Sequence, residues 1–309
     1  MTLCKELTLS SRENAFLGYI FALGDDLVYS IGRKFAVSGA SKSGSNVMYQ
    51  DIETETRGCA RWIFIARPEH SNAARIDTVR ELCAALDEAA SDEAIRVIVL
   101  SHRGKHFLAG ADFSMLEDLA KMTTVQVRNE IYEHFQGAAR RLHLCAKPTI
   151  AAVRGAAITV GCELAIACDF RLVTSSAMFH ESWARMNLIA PLGGLKVLPA
   201  LIGFGRAKEM MLLGREVRGE EAVEIGLATR LLEADGFEDS VQAFALQLGE
   251  KPPLSYAAAK EGLRRGMESS FDDGWALNLL AQNMLIGSDD YREGVAAAVE
   301  RRPPSFSGR

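Results

Sequence analysis

An α/β fold is what this sequence predicts, and three observations carry the prediction. Short apolar runs of strand length occur at residues 62–66, 95–100 and 149–153, the last of them uninterrupted enough for a buried strand. The second and third each lead through a glycine-marked turn into a helical pattern, at HFLAGADFSML (His106 to Leu116) and at RGAAITVGCELAIACD (Arg154 to Asp169). From Pro253 onward the pattern is helical, with Ala257, Lys260 and Leu263 and then Leu277, Leu280 and Met284 repeating at that spacing. At 309 residues, 48% hydrophobic and 24% charged, the chain can bury a sizeable core in one or two domains.

Composition excludes several classes. A net charge of −5 does not supply the clustered basic surface that tracks phosphates, so no nucleic-acid partner is expected. The apolar segment at residues 15–23 is too short to span a bilayer and has no convincing cleavage site behind it, so no membrane partner is expected either. Six cysteines at irregular spacings, several inside apolar runs, point to free thiols in a reducing, cytoplasmic setting. Six histidines form no HExxH, and Cys162 and Cys168 have no histidine partners, so no metal is expected.

In chain order, residues 1–47 differ from the rest and end in the Ser/Gly-rich stretch AVSGASKSGSN, a flexible linker by composition. They read as a poorly ordered appendage from an upstream start, or as a docking or dimerisation segment. The strand at 62–66 runs into the turn RPEHSNAA, and residues 76–89 follow with Ile76, Val79, Leu82, Cys83 and Leu86 on one helical face. Residues 124–144 carry Val127, Ile131, Phe135, Ala138 and Leu142 at helical steps, predicting one amphipathic core helix. Pro148 opens the next strand, Gly155 marks its turn, and Glu163 stands at the head of a short helix. Free N–H groups at such a helix start favour a developing anion, and the Glu163 carboxylate lies beside them. A base next to an anion site is what proton abstraction beside a carbonyl requires. Gly193–Gly194 opens a further helix.

Five ordered blocks, HFLAGAD, KPTIAAVRGAAITVGCELAIACDFRLV, APLGGLKVLPALIGFGRAKEMMLLG, EAVEIGLATRLL and YREGVAAAVERRPPSF, resemble the crotonase superfamily, the enoyl-CoA hydratase/isomerase family. The resemblance implies a crotonase-like spiral of repeated ββα units over residues 48–252, followed by a C-terminal helical oligomerisation segment at 253–309. It implies an acyl-CoA thioester substrate, with coenzyme A part of that substrate and no separate cofactor. It also implies a homo-trimer or a dimer of trimers.

Carried residue by residue, the resemblance makes the backbone N–H groups of Ala111 and Val160 an oxyanion hole. Many relatives have three glycines where this chain reads Thr159–Val160–Gly161, so the hole can survive with added bulk beside the thioester. Glu163 matches the first glutamate of family hydratases. Twenty residues on, at the second, this chain has Trp183. An indole donates one hydrogen bond and accepts no proton. Trp183 is therefore a core aromatic or a wall of the acyl pocket. Glu181, two residues earlier beside His180, is either a substitute acid or an exposed charge on the rim. Arg67, Asn72, Ala73 and Ala109 fall where relatives contact coenzyme A, Arg67 as a phosphate partner or as part of a solvated turn. Arg301 is the candidate basic residue reaching a neighbour's coenzyme A, and His106 is a ligand contact or a surface histidine.

The functions implied are proton movement on a coenzyme A thioester through an enolate, as hydratase or isomerase, with hydrolase or decarboxylase chemistry on an acyl-CoA as the alternative. A catalytically silent binding protein of this fold is the other class, and Trp183 is the one feature that favours it.

Overall fold

The computed structural model describes residues 49–309. The expected appendage at residues 1–47, with its linker, lies outside the described residues. The chain enters through β1 (Ile52–Arg57) and β2 (Ala60–Ile65), then α1 (Ile76–Ser91), β3 (Val97–His102), α2 (Phe113–Leu119) and α3 (Glu133–Leu144). β4 (Thr149–Val153), β5 (Ala156–Ile158), α4 (Val160–Ala167), β6 (Phe170–Val173) and β7 (Met178–His180) come after it. Next are α5 (Gly194–Ile202), α6 (Phe204–Leu213), β8 (Glu216–Arg218), α7 (Gly219–Glu224), β9 (Arg230–Leu231) and α8 (Phe237–Gly249). The C-terminal segment is α9 (Pro253–Gly266), α10 (Phe271–Ile286) and α11 (Asp289–Glu300).

A six-stranded sheet runs β1-β2-β3-β4-β6-β9, antiparallel only between β1 and β2 and parallel through the rest. A second, three-stranded sheet runs β5-β7-β8. The continuous apolar runs read as strands because both faces of the larger sheet are covered. Ile63 and Ile65 of β2 face one core with Leu100, Leu82 and Leu164, whereas Trp62 and Phe64 face another with Val97, Val99, Ile150 and α8. Every residue of β3 and β4 is buried. The five cysteines among the described residues are free, and Cys83, Cys162 and Cys168 are buried.

Residues 124–144 do not form the single α-helix that their spacing predicts. An α-helical turn at Thr124–Gln126 passes into a π-helical stretch, Val127–Tyr132, before α3. Ile131, Phe135, Ala138 and Leu142 are buried as expected, while Val127 is only half-buried. The π stretch ends on Tyr132, which heads α3 and walls a small cavity shared with Ala111 and Val160.

Candidate active site

Two turns are locked together at the C-terminal ends of β3 and β4. The Leu108 amide donates to Ala156 O (3.0 Å) and the Ile158 amide to Leu108 O (2.9 Å), joining the first turn to β5. A side chain on Gly161 would put its Cβ 2.3 Å from Leu108 O, so only glycine permits this approach. Next to it, Ala74 bridges the first turn: its amide donates to Gly110 O (2.8 Å) and its carbonyl accepts from the Asp112 amide (2.9 Å). Alternation along the backbone then turns the intervening Ala111 amide to the opposite side. Val160 is the first residue of α4, where an N–H has no carbonyl one turn back. Ala111 and Val160 line the small cavity, about 30 Å³ of open space, together with Tyr132, Trp183, Pro191 and Leu192. The turn into α4 is strained: Thr159, a β-branched residue, sits at φ 46°, ψ −103°, held by its amide on His180 O (2.8 Å).

Glu163 lies one turn into α4 with 1% exposure. Its Oε2 accepts from the Leu192 amide and from the Gly194 amide, both at 2.8 Å, which seats the carboxylate on the N-terminus of α5. Gly194 has to be glycine here, because a Cβ would lie 2.9 Å from Oε2. Oε1 has no partner. Burial outweighs the two amides and pushes the carboxyl from 4.5 up to about 7. A buried carboxyl that ionises near neutrality can take or give a proton in the physiological range.

A family model for enoyl-CoA hydratase/isomerase matches residues 56–309, most of the chain. This chain belongs to the enoyl-CoA hydratase/isomerase family. It is 29% identical over 259 residues to a short-chain-enoyl-CoA hydratase of Clostridium acetobutylicum, covering 82% of this chain and 95% of that protein. It is 31% identical over 266 residues to a peroxisomal Delta(3,5)-Delta(2,4)-dienoyl-CoA isomerase of Arabidopsis thaliana, covering 83% and 95%. The crystal structure of a putative enoyl-CoA hydratase from Streptomyces coelicolor superposes with a TM-score of 0.83 at 28% identity, over 89% of this chain and all of the other. The crotonase-like spiral with C-terminal helices expected from the sequence is the fold found.

Around the position twenty residues after Glu163, three side chains, His180, Glu181 and Trp183, are buried. Trp183 is 6% exposed, opens a 3-10 turn and walls the cavity. Glu181 is wholly buried, which overturns its reading as an exposed charge on the rim. His180 ends β7, also buried, with Nε2 unpartnered.

The turn assigned to coenzyme A contacts is used internally. Arg67 is 6% exposed and its guanidinium is directed onto Asp51 (3.5 Å), Asp112 (3.2 Å) and the Ala73 carbonyl, so it is not part of a solvated turn. Asn72 is fully buried at φ 57°, its Oδ1 accepting from the Arg67 amide (2.7 Å) and its Nδ2 donating to Arg103 O and His106 O. Ala73 and Ala109 are half-buried, their amides donating to His70 O and Ser71 O. His106 is half-buried and its Nδ1 accepts from the Ala156 amide (3.2 Å). Arg301 caps α11 in the left-handed region, exposed.

Three neighbours of Glu163 were not read from the sequence: Tyr132, whose phenol pKa is raised by burial and then by the Glu163 charge, and the Leu192 and Gly194 amides. The paired glycines at 193–194 were the legible signal for the last, since a carboxylate can reach a helix N-terminus that closely only over glycine.

Proposed function

We propose that this protein catalyses proton movement on a coenzyme A thioester, double-bond isomerisation ahead of hydration. The thioester oxygen accepts from the Ala111 and Val160 amides, which are worth most where negative charge develops on it as an enolate. Glu163 removes a proton from the carbon beside or conjugated to the carbonyl and returns it at the other end of the enolate. No cofactor enters this chemistry. The observation that carries the reading is Glu163 itself, buried, fixed through one oxygen by two amides, free at the other and ionising near 7.

Hydration asks for a second group to hold and activate water, and Trp183 at that position can only donate. The Tyr132, Trp183, Pro191 and Leu192 walls suit an acyl chain more than a water. The dienoyl-CoA isomerase relative agrees with this choice. The exposed apolar C-terminal helices support assembly as a homo-trimer or dimer of trimers, with Arg301 offered to the coenzyme A of a neighbouring copy, and the cysteine usage supports a reducing, cytoplasmic setting.

The test is a panel of 3-enoyl-, dienoyl- and 2-enoyl-CoA thioesters followed by mass spectrometry. Isomerisation should be measurable, and hydration of crotonyl-CoA should fall roughly 10²–10⁴-fold short of a two-carboxylate hydratase. Ordinary hydration of crotonyl-CoA with no isomerisation would reverse the assignment.

A further inference from the structure

The direction of the Ala111 amide traces back, one peptide at a time, to a single side chain in the turn before α1. The Ala111 N–H and the Gly110 carbonyl belong to one planar trans peptide, so they point opposite ways. That carbonyl accepts from the Ala74 amide (2.8 Å), which turns the Ala111 N–H away from Ala74. The Ala74 N–H in turn shares its peptide with the Ala73 carbonyl, and this carbonyl accepts from Nη1 of Arg67. Guanidinium, first peptide, second peptide and the place of the thioester oxygen therefore form one head-to-tail row of hydrogen bonds. An amide whose carbonyl already accepts a bond donates more strongly from its N–H, and the gain is passed along such a row. A charged donor at the head gives more than a neutral one.

We propose that Arg67 is a positioning residue of the oxyanion hole, aligning and polarising the Ala111 amide through the Ala73–Ala74 and Gly110–Ala111 peptides. This rests on the reading that the thioester oxygen accepts from the Ala111 amide. The guanidinium is buried and pinned on its other nitrogens, Nε facing Asp51 (3.5 Å) and Nη2 facing Asp112 (3.2 Å), which leaves Nη1 aimed at the Ala73 carbonyl. Asp51 is itself fixed by Arg75 (2.8 Å) and the Thr78 hydroxyl. Asp112 follows Ala111 directly and caps α2, its Oδ1 accepting from the Ser114 amide (3.1 Å). Its own amide donates to the Ala74 carbonyl (2.9 Å), so Ala74 grips the chain on both sides of Ala111. Two cations face two carboxylates in this cluster, so what Arg67 passes on is a directed hydrogen bond and not a net field. That places Arg67 behind the reacting end of the thioester and not on the phosphates of coenzyme A.

The experiment reads the thioester carbonyl itself. Butyryl-CoA carrying carbon-13 at the carbonyl is bound to the full chain and its C=O stretch followed by infrared difference spectroscopy, alongside kcat and KM for a 3-enoyl-CoA thioester. In the wild type the stretch should lie below its value in water. Arg67→Met should return it part of the way and lower kcat roughly tenfold, less than the 10²–10³ that deleting an oxyanion donor outright costs, with KM little changed. Arg67→Lys, which keeps a charged donor, should lie between the two. Arg67→Met leaves Asp51 and Asp112 without their guanidinium, so the substitution is also made together with Asp112→Asn and compared with Asp112→Asn alone, which covers the case in which the single variant does not fold. The same partial return is expected there. A stretch that Arg67→Met leaves unmoved in either background would overturn the proposal. So would a loss confined to KM, which is the mark of an interaction made equally in ground and transition states and would put Arg67 on coenzyme A. A wild-type stretch no lower than in water would instead take the Ala111 amide off the thioester, and with it the reading on which the proposal rests.

Discussion

Glu163 carries opposing demands that can be separated by one substitution. Its carboxyl ionises at about 7 in the folded chain against an ordinary value of 4.5, so the folded state binds the proton more tightly than the unfolded state does. Stability from this group is fully present below about 4.5, declines as pH rises through 7, and stays reduced above it. Each unit is worth about 1.4 kcal/mol, so Glu163→Gln should raise stability at pH 8 by up to about 3 kcal/mol while abolishing turnover. Its amide oxygen can still accept from Leu192 and Gly194, which keeps the local geometry. Denaturation at pH 5 and pH 8 checks this: a gain at pH 8 that shrinks at pH 5 is the expected outcome. The rate of the wild type should in turn rise through an apparent pKa near 7, as the base deprotonates. A second residue-scale prediction concerns Thr159, whose φ of 46° is strained for a β-branched side chain. Thr159→Gly relieves roughly 1–3 kcal/mol of strain and gives back about 1 in chain entropy, so stability should be unchanged or slightly higher by thermal melting. A loss above about 2 kcal/mol would show that the Thr159 side chain, packed near Gly110, holds the two turns together.

At the scale of elements, the N-terminus of α5 seats the Glu163 carboxylate. Gly194→Ala would set a methyl 2.9 Å from Oε2 and 3.2 Å from Cδ and Cγ of Glu163, prising the carboxylate from the helix N-terminus. The lost amide contacts favoured the charged form, so the pH–rate profile of this variant should move to higher pH, with kcat lower at pH 7; an unmoved profile would mean that the helix end does not set the ionisation of Glu163. The same elements show what sequence can and cannot reveal. β2, β3 and β4 were legible because both their faces are buried, which writes continuous apolar runs. Glu163 was singled out by its place at the head of a short helix, and Ala111 and Val160 by the family resemblance; the structure puts Ala111 and Val160 on one cavity. β5, β7 and β8, three residues each, were not legible, since such short strands carry no periodicity of their own. Neither was the π stretch at Val127–Tyr132, because apolar spacing at 3.6 does not register one wider turn. The burial of Glu181 and the internal use of Arg67 and Asn72 depend on which loops come together, and residue type alone favours the surface for all three.

The described chain leaves a large apolar surface uncovered, and that surface is concentrated at its C-terminal end. No residue of α10 is buried, although Phe271, Trp275, Leu279, Leu280 and Met284 are 77, 64, 59, 52 and 61% exposed. Leu263 and Met267 extend the surface along α9, and Val299 does so on α11. Isolated apolar side chains on a surface need no explanation, but a contiguous set on helices of this length marks an interface. The α9 side of the segment is tied to its own core, with Lys260 bonded to Asp169 (2.8 Å) and Tyr256 donating to the same carboxylate (3.2 Å). The segment is thus held in place while its outer face stays bare, which is the arrangement an obligate oligomer needs. Copies of this chain should therefore associate through α10, and light scattering behind size exclusion should report three or six chains. Introducing charge at the centre of the face, as Trp275→Glu with Leu279→Glu, should yield monomers with the helical circular dichroism retained, because neither side chain contributes to the core of its own chain. A wild type that runs as a monomer at micromolar concentration would remove the interface, and with it the route by which Arg301 of one copy could reach the coenzyme A of another.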